Sequence, residues 1–178
     1  DDYTLHARIL KPTNMQPGTK YPVLFGPVYS NTARNRWAGN YSLVQHLLAK
    51  KGYIIVQVDS RGSNGYGRAF REEFLLGFAD QDIEDYASAV AYMESLVYVD
   101  PDRIGIMGGS YGGYMTLAAL AFEPEEFACG VDIFGVANWV LTLENIPPYW
   151  ESFRKALYDE IGHPVEDEEF LRATSPVF

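Results

Sequence analysis

The apolar residues of this chain fall into two alternating periods, one of two residues and one of three to four. Residues 3–10 alternate apolar and polar side chains, the pattern of a strand that rests on a core by one face, and Lys11-Pro12 closes the run. It reads as an antiparallel edge strand, with His6 an ordinary member. Residues 20–25 form an apolar run expected as a buried strand, followed by a loop over residues 26–31. Leu43, Val44, Leu47 and Leu48 fall on one helical face; Asn40 is placed to cap this helix and Lys50-Lys51-Gly52 to stop it. Residues 53–58 are strongly β-prone and read as a parallel strand. A turn-rich loop over residues 59–67 then leads to a short helix. From residue 80 to 97, Ile83, Tyr86, Ala87, Val90, Met93 and Val97 share one helical face, acids fill the first turn, and Asp100-Pro101-Asp102 breaks the pattern. Residues 127–134 read as a further buried strand, 135–150 as a loop or short helical segment, 151–158 as a weak helix and 167–173 as a short acidic helix. One opening strand followed by alternating strands and helices predicts a single α/β domain. Its sheet is mostly parallel and doubly wound, with helices on both faces.

Between these elements lies the stretch with the clearest chemistry. A short β-branched run at Ile104 and Ile106 passes through Gly108-Gly109-Ser110-Tyr111-Gly112-Gly113 into Met115-Thr-Leu-Ala-Ala-Leu-Ala121, a strong helix former. Gly108, Ser110 and Gly112 fit G-x-S-x-G, the nucleophile elbow, in the strand-turn-helix setting it requires. The spacing follows from crowding: on so sharp a bend, side chains two positions either side of the serine would meet the neighbouring strand and helix. The turn lifts the Ser110 hydroxyl above the sheet edge and aims the N–H of Tyr111 outward at the positive end of the helix. A dinucleotide fingerprint G-x-G-x-x-G does not fit. Met107 stands where the second glycine belongs if Gly105 is the first, and Ser110 does if Gly108 is.

Composition narrows the function classes. With 178 residues, 47% of them hydrophobic, the chain is long enough for one real core. Its 13 Tyr, 10 Phe and 3 Trp suit a core plus an aromatic-lined cleft. A formal net charge of −10 argues against a nucleic-acid or anionic-membrane partner. The acidic clusters at 80–85 and 158–169 read as solvated faces. No run of roughly 18 apolar residues is present to span a membrane. No signal peptide is visible, although the sequence opens at Asp1-Asp2-Tyr3 and a removed leader remains open. The single cysteine, Cys129, excludes an internal disulfide and is expected to be buried and inert. No cluster of His and Cys implies a metal or cofactor.

Several segments together carry a resemblance: Tyr21-Pro22-Val23-Leu24, Asp59-Ser60-Arg61-Gly62-Ser63 with Gly65-Tyr66-Gly67, Asp82-Ile83-Glu84-Asp85, Val99-Asp100-Pro101-Asp102-Arg103-Ile104, Gly109-Ser110-Tyr111-Gly112-Gly113-Tyr114, and Ser175-Pro176. Along nearly its whole length the chain resembles the catalytic domain of the prolyl oligopeptidase family of serine peptidases, which has the α/β-hydrolase fold. The resemblance implies Ser110 as the acylated nucleophile and the Tyr111 N–H as one oxyanion donor. Tyr29, one residue from the place of a donor tyrosine in the dipeptidyl peptidase branch, is the candidate second donor. Val136 and Trp139 match the pocket for the residue before the cleaved bond. Thr142 and Ile146 fall where that branch has tyrosines, so a tight proline pocket is not implied. Trp139, Tyr149 and Trp150 also admit a plain packing role, and Asp59 and Arg61 read as scaffold.

In this fold the serine is followed in the chain by an acid and then a histidine. Here the sequence stops just after Ser175-Pro176, so both partners are expected outside it, and the 178 residues to be a piece of a larger peptidase, inactive alone. His163, followed by Asp167, is the one histidine after Ser110 and the weaker alternative base. The expected substrate is a peptide. The expected partners are the remaining C-terminal strands and an N-terminal β-propeller of the parent chain, or a second copy meeting an exposed sheet edge. An esterase and a non-catalytic binding protein on the same scaffold are the rival readings.

Overall fold

The computed structural model describes residues 3–29, 42–75 and 81–178. Five strands form one sheet in the order β1-β3-β2-β4-β5, where β1 is His6–Leu10, β2 Tyr21–Val28, β3 Ile54–Asp59, β4 Val99–Gly109 and β5 Cys129–Ile133. The helices are α1 Leu43–Lys50, α2 Arg68–Glu72, α3 Gln81–Glu94, α4 Tyr111–Phe122, α5 Trp139–Glu144, α6 Arg154–Ile161 and α7 Glu168–Ala173, with a 3-10 turn at Pro148–Phe153. The edge strand β1 runs antiparallel to β3, and every other pair is parallel. This is the expected α/β-hydrolase sheet.

Topology decides where a site can form. The chain steps from β2 through α1 outward to β3, then crosses back over β2 to β4. Crossovers in parallel sheets are right-handed, so reversing direction puts α1 on one face and α3 and α4 on the other. The reversal lies between β2 and β4, which run side by side with Val28 opposite Gly108. Ligands of open α/β sheets settle at such a switch point, beyond the carboxyl ends of the strands. Tyr29 follows β2 and Ser110 follows β4 at that point.

The core fills the α3–α4 face. Val23, Phe25, Ile104 and Ile106 pack beneath Tyr86, Val90, Met93, Met115 and Ala118, all buried. Phe25 meets Tyr86 and Phe127 edge-on, with ring centroids 6.1 and 5.9 Å apart. Each large apolar side chain so buried contributes ~1.5–3 kcal/mol. All six residues of β3 are buried, the polar Gln57 and Asp59 among them.

Four local expectations are corrected. The apolar side of α1 does not face the sheet: Gln45 and Ala49 are buried, whereas Leu43, Val44 and Leu47 are exposed. Gln45 can be buried because its polar ends are satisfied. It closes a capping box with Ser42 and donates to Gly26 O at 3.2 Å. Asn40, the expected cap, and Asp80 lie outside the described residues. Val97 is exposed beyond the end of α3. Asp100-Pro101-Asp102 ends no helix but forms a bulge within β4: Tyr21 pairs with Val99 and Val23 with Ile104, so β4 loops out its proline. There Asp100 accepts from Arg103 Nε at 2.6 Å, which holds its carboxyl below the usual range.

The fourth correction concerns β5. Its even positions face α4: a side chain at Gly130 would strike Leu120. The odd positions, Cys129, Val131 and Ile133, point to the other face, which no described helix covers, and all three are exposed. Cys129 is therefore not the buried thiol its apolar surroundings suggested. Bare apolar sheet surface of this kind associates. Replacing Val131 and Ile133 together by lysine is expected to reduce self-association of the 178-residue chain in sedimentation velocity while leaving its circular dichroism unchanged. Association that persists at the same strength would show that this face is not the sticky one.

Candidate active site

Ser110 sits between β4 and α4 at φ 56° and ψ −118°, outside the regions that L-residues favour. Such a conformation costs ~1–3 kcal/mol and survives only where its surroundings over-determine it. Here both sides of the residue are held. Ser110 N–H donates to Ile133 O at 3.0 Å, and Tyr114 N–H donates to Ser110 O at 3.0 Å. Glycines then let the backbone segments touch. A Cβ on Gly112 would lie 1.9 Å from Val28 O, and one on Gly108 would lie 2.2 Å from Gly112 O. The start of α4 thus presses on the end of β2, as the G-x-S-x-G spacing requires. A second contact was not foreseen: Gly113 abuts Gly135, where a Cβ would come within 2.6 Å of the Gly135 Cα. Asp132 Oδ1 accepts from Gly135 N–H at 2.8 Å and holds that loop against α4.

Tyr111 opens α4. The N–H groups of a first helical turn have no partner inside the helix, so its N–H is free to meet a ligand. Its side chain turns inward instead. The hydroxyl donates to Asp82 on α3 at 2.8 Å, and the ring packs against Tyr29, Phe74, Tyr114 and Trp139. Burial first, and then the Asp82 carboxylate, push this phenol well above the usual tyrosine range, so it stays neutral. One turn along α3, Asp85 takes Arg61 N–H at 2.6 Å and Arg61 Nε at 2.9 Å. Burial raises the Asp85 carboxyl and Arg61 opposes the shift. Arg61 also donates to Gln81 O at 2.9 Å. Asp59, fully buried, accepts the Tyr66 hydroxyl. Asp59 and Arg61 are both placed as scaffold; Arg61 ties the loop after β3 to α3, and Asp82 ties α3 to the elbow.

Ser110 and Tyr111 open onto a cavity of about 260 Å³ that Tyr29, Val136 and Trp139 also line. All five residues singled out from the sequence meet there. Tyr29 is partly exposed, its ring 5.8 Å from that of Tyr111. Trp139 is buried and lines the cavity at once. Its backbone N–H donates to Ser175 Oγ at 2.9 Å, and that hydroxyl donates to Leu171 O at 2.5 Å, so the Ser-Pro segment fastens α5 to α7. Trp150 lines the cavity while Tyr149 stands in solvent. Phe74, Arg71 and Glu160 complete the wall unforeseen. The last two form an ion pair at 3.4 Å across 89 positions of sequence, a separation no local pattern reveals.

None of the three histidines lines the cavity. His163 Nδ1 accepts from Val165 and Glu166 N–H at 3.2 and 3.3 Å, and Asp167 accepts the backbone N–H of His163 at 2.7 Å. The two side chains cap a turn and make no hydrogen bond to each other's side chain. His6 stacks on Tyr66 and His46 lies on α1. Among the described residues no group of three or more His, Cys, Asp and Glu could hold a metal ion.

Residues 40–178 match the sequence profile of the Prolyl oligopeptidase family. The chain belongs to this family. It is 39% identical over 141 residues to dipeptidyl peptidase family member 6 of Caenorhabditis elegans, covering 78% of this chain and 19% of that protein. It is 40% identical over 132 residues to dipeptidyl aminopeptidase BIII of Pseudoxanthomonas mexicana, covering 73% of this chain and 19% of the relative. The acylaminoacyl peptidase of Pyrococcus horikoshii superposes with a TM-score of 0.83 at 30% identity, over 100% of this chain and 28% of that one. The chain therefore spans about a fifth of the length of the curated relatives it matches.

Two substitutions measure how the elbow is held. Gly112→Ala is expected to destabilise the chain by about 3 kcal/mol or more in urea unfolding, because its methyl group overlaps the Val28 carbonyl. Tyr111→Phe leaves the buried Asp82 carboxylate one donor short and is expected to cost ~1–3 kcal/mol. A neutral outcome at position 111 would mean that the bond to α3 contributes nothing to the elbow's anchorage.

Proposed function

We propose that this chain carries the nucleophile of a serine peptidase that hydrolyses peptide bonds through an acyl-enzyme on Ser110. The observation that supports the reading most is the strained Ser110 bend, opening beside the first N–H of α4 onto an aromatic cavity, in a chain of this family. The Ser110 hydroxyl attacks the peptide carbonyl carbon, the C–O bond forms, and negative charge moves to the carbonyl oxygen. The Tyr111 N–H and the Tyr29 hydroxyl donate to that oxygen, reinforced by the positive end of α4. Collapse of the tetrahedral species expels the amine and leaves the acyl-enzyme, which water then hydrolyses. Val136 and Trp139 hold the side chain that precedes the cleaved bond.

The serine needs a base to take its proton, and the amine needs an acid. With every histidine of the chain away from the cavity, the base and the carboxylate that orients it are assigned to parts of a parent protein outside residues 1–178. The same parent, or a second copy of the chain, is the proposed cover for Cys129, Val131 and Ile133. A β-propeller that restricts substrate size is carried over from the family resemblance.

In the full-length protein a fluorophosphonate probe is expected to label Ser110, and Ser110→Ala to abolish both labelling and peptide-anilide turnover. Turnover that survives Ser110→Ala would end the proposal. Tyr29→Phe is expected to lower kcat about 10²–10³-fold, the loss of one oxyanion donor. Comparing peptide anilides with p-nitrophenyl esters on the same preparation separates a peptidase from an esterase.

A further inference from the structure

We propose that the cavity beside Ser110 receives a large, uncharged aromatic side chain, phenylalanine or tyrosine, from the residue on the acyl side of the cleaved bond. The proposal rests on the reading of Ser110 as the nucleophile. Three features of the cavity point to this class of substrate.

The first is size. An apolar cavity of roughly 150 Å³ accommodates a benzene ring, and this one measures about 260 Å³. A proline or alanine side chain would leave most of it unfilled. The room comes from α5 and the residues after it. Trp139, Thr142 and Leu143 on α5 and Ile146 just beyond its end all reach the cavity, and neither 142 nor 146 carries a ring. The second feature is the wall. Phe74 and Tyr111 stand edge to face with centroids 5.4 Å apart, Tyr111 and Trp139 lie 6.3 Å apart, and Trp150 joins them. Rings already arranged at edge and tilt angles favour a further aromatic ring over an aliphatic one.

The third feature is charge. Arg71 and Glu160 are the only ionised groups on the described wall, and they are paired with each other. The wall is therefore neutral overall. Neither charge is left over to hold a lysine, arginine or glutamate side chain unless this half-exposed pair opens.

The test uses the full-length protein that carries these residues. Labelling of Ser110 by a fluorophosphonate is measured first. Free-amine and N-blocked peptide p-nitroanilides are then compared with phenylalanine, proline, alanine or lysine before the anilide. Phenylalanine is expected to lead in kcat/KM by about 10-fold or more. Thr142→Tyr, which fills the cavity, is expected to lower the phenylalanine-to-alanine ratio about 10-fold while Ser110 still labels. If Ser110 labels but proline, alanine or lysine substrates are turned over fastest, this inference is overturned and the nucleophile reading stands. It is likewise overturned if Thr142→Tyr labels normally yet leaves the ratio untouched. Failure of Ser110 to label in the unmodified protein removes both.

Discussion

One contact governs the arrangement around Ser110: the backbone of α4 at Gly112 meets the last carbonyl of β2, at Val28, with no room for a Cβ between them. Two parallel strands and the helix leaving one of them converge there. If they stood further apart, the bend at residue 110 would relax into ordinary helical geometry, and Ser110 would lose its place on the cavity wall. The strain at Ser110 is maintained because the glycines allow close approach and the hydrogen bonds from Ser110 to Ile133 and from Tyr114 to Ser110 hold both sides.

That contact is supported from beneath. Helix α3 offers two carboxylates one turn apart, each buried and each answering a different neighbour. Asp82 binds the Tyr111 hydroxyl and Asp85 binds Arg61. Through them the loop after β3, helix α3 and the first residue of α4 become one unit, so the N–H of Tyr111 is aimed by residues that never touch the cavity. The aromatic cluster of Tyr29, Phe74, Tyr114 and Trp139 around Tyr111 serves as packing, and three of its rings, those of Tyr29, Phe74 and Trp139, serve as cavity wall as well. A carboxylate beneath a neutral phenol is well suited to such a post, since the phenol keeps its proton far above neutral pH.

Much of this was legible in the residue pattern, for reasons that are local. Glycine spacing about Ser110 encodes a steric demand, and the β-prone runs and the amphipathic face of α3 encode which surfaces are buried. What escaped the pattern depends on distant residues. The apolar stripe of α1 read as its buried face, yet Gln45 takes that place because Gly26 O and Ser42 satisfy it. Strand β5 read as buried because its residues are apolar, but whether a strand is covered depends on what lies over it, and its odd positions are bare. Arg71 and Glu160 reach the cavity from α2 and α6, and only the assembled fold brings them together.

The central proposal is that residues 108–113 hold Ser110 as a nucleophile, with the Tyr111 N–H and the Tyr29 hydroxyl as its oxyanion donors. The most direct measurement is a crystal structure of the full-length protein inactivated with a phosphonate. The account predicts a covalent bond from Ser110 Oγ to phosphorus, with the phosphonyl oxygen about 2.7–3.1 Å from the Tyr111 nitrogen and from the Tyr29 hydroxyl. A phosphonyl oxygen turned to solvent, or phosphorus bonded to any residue other than Ser110, would contradict it.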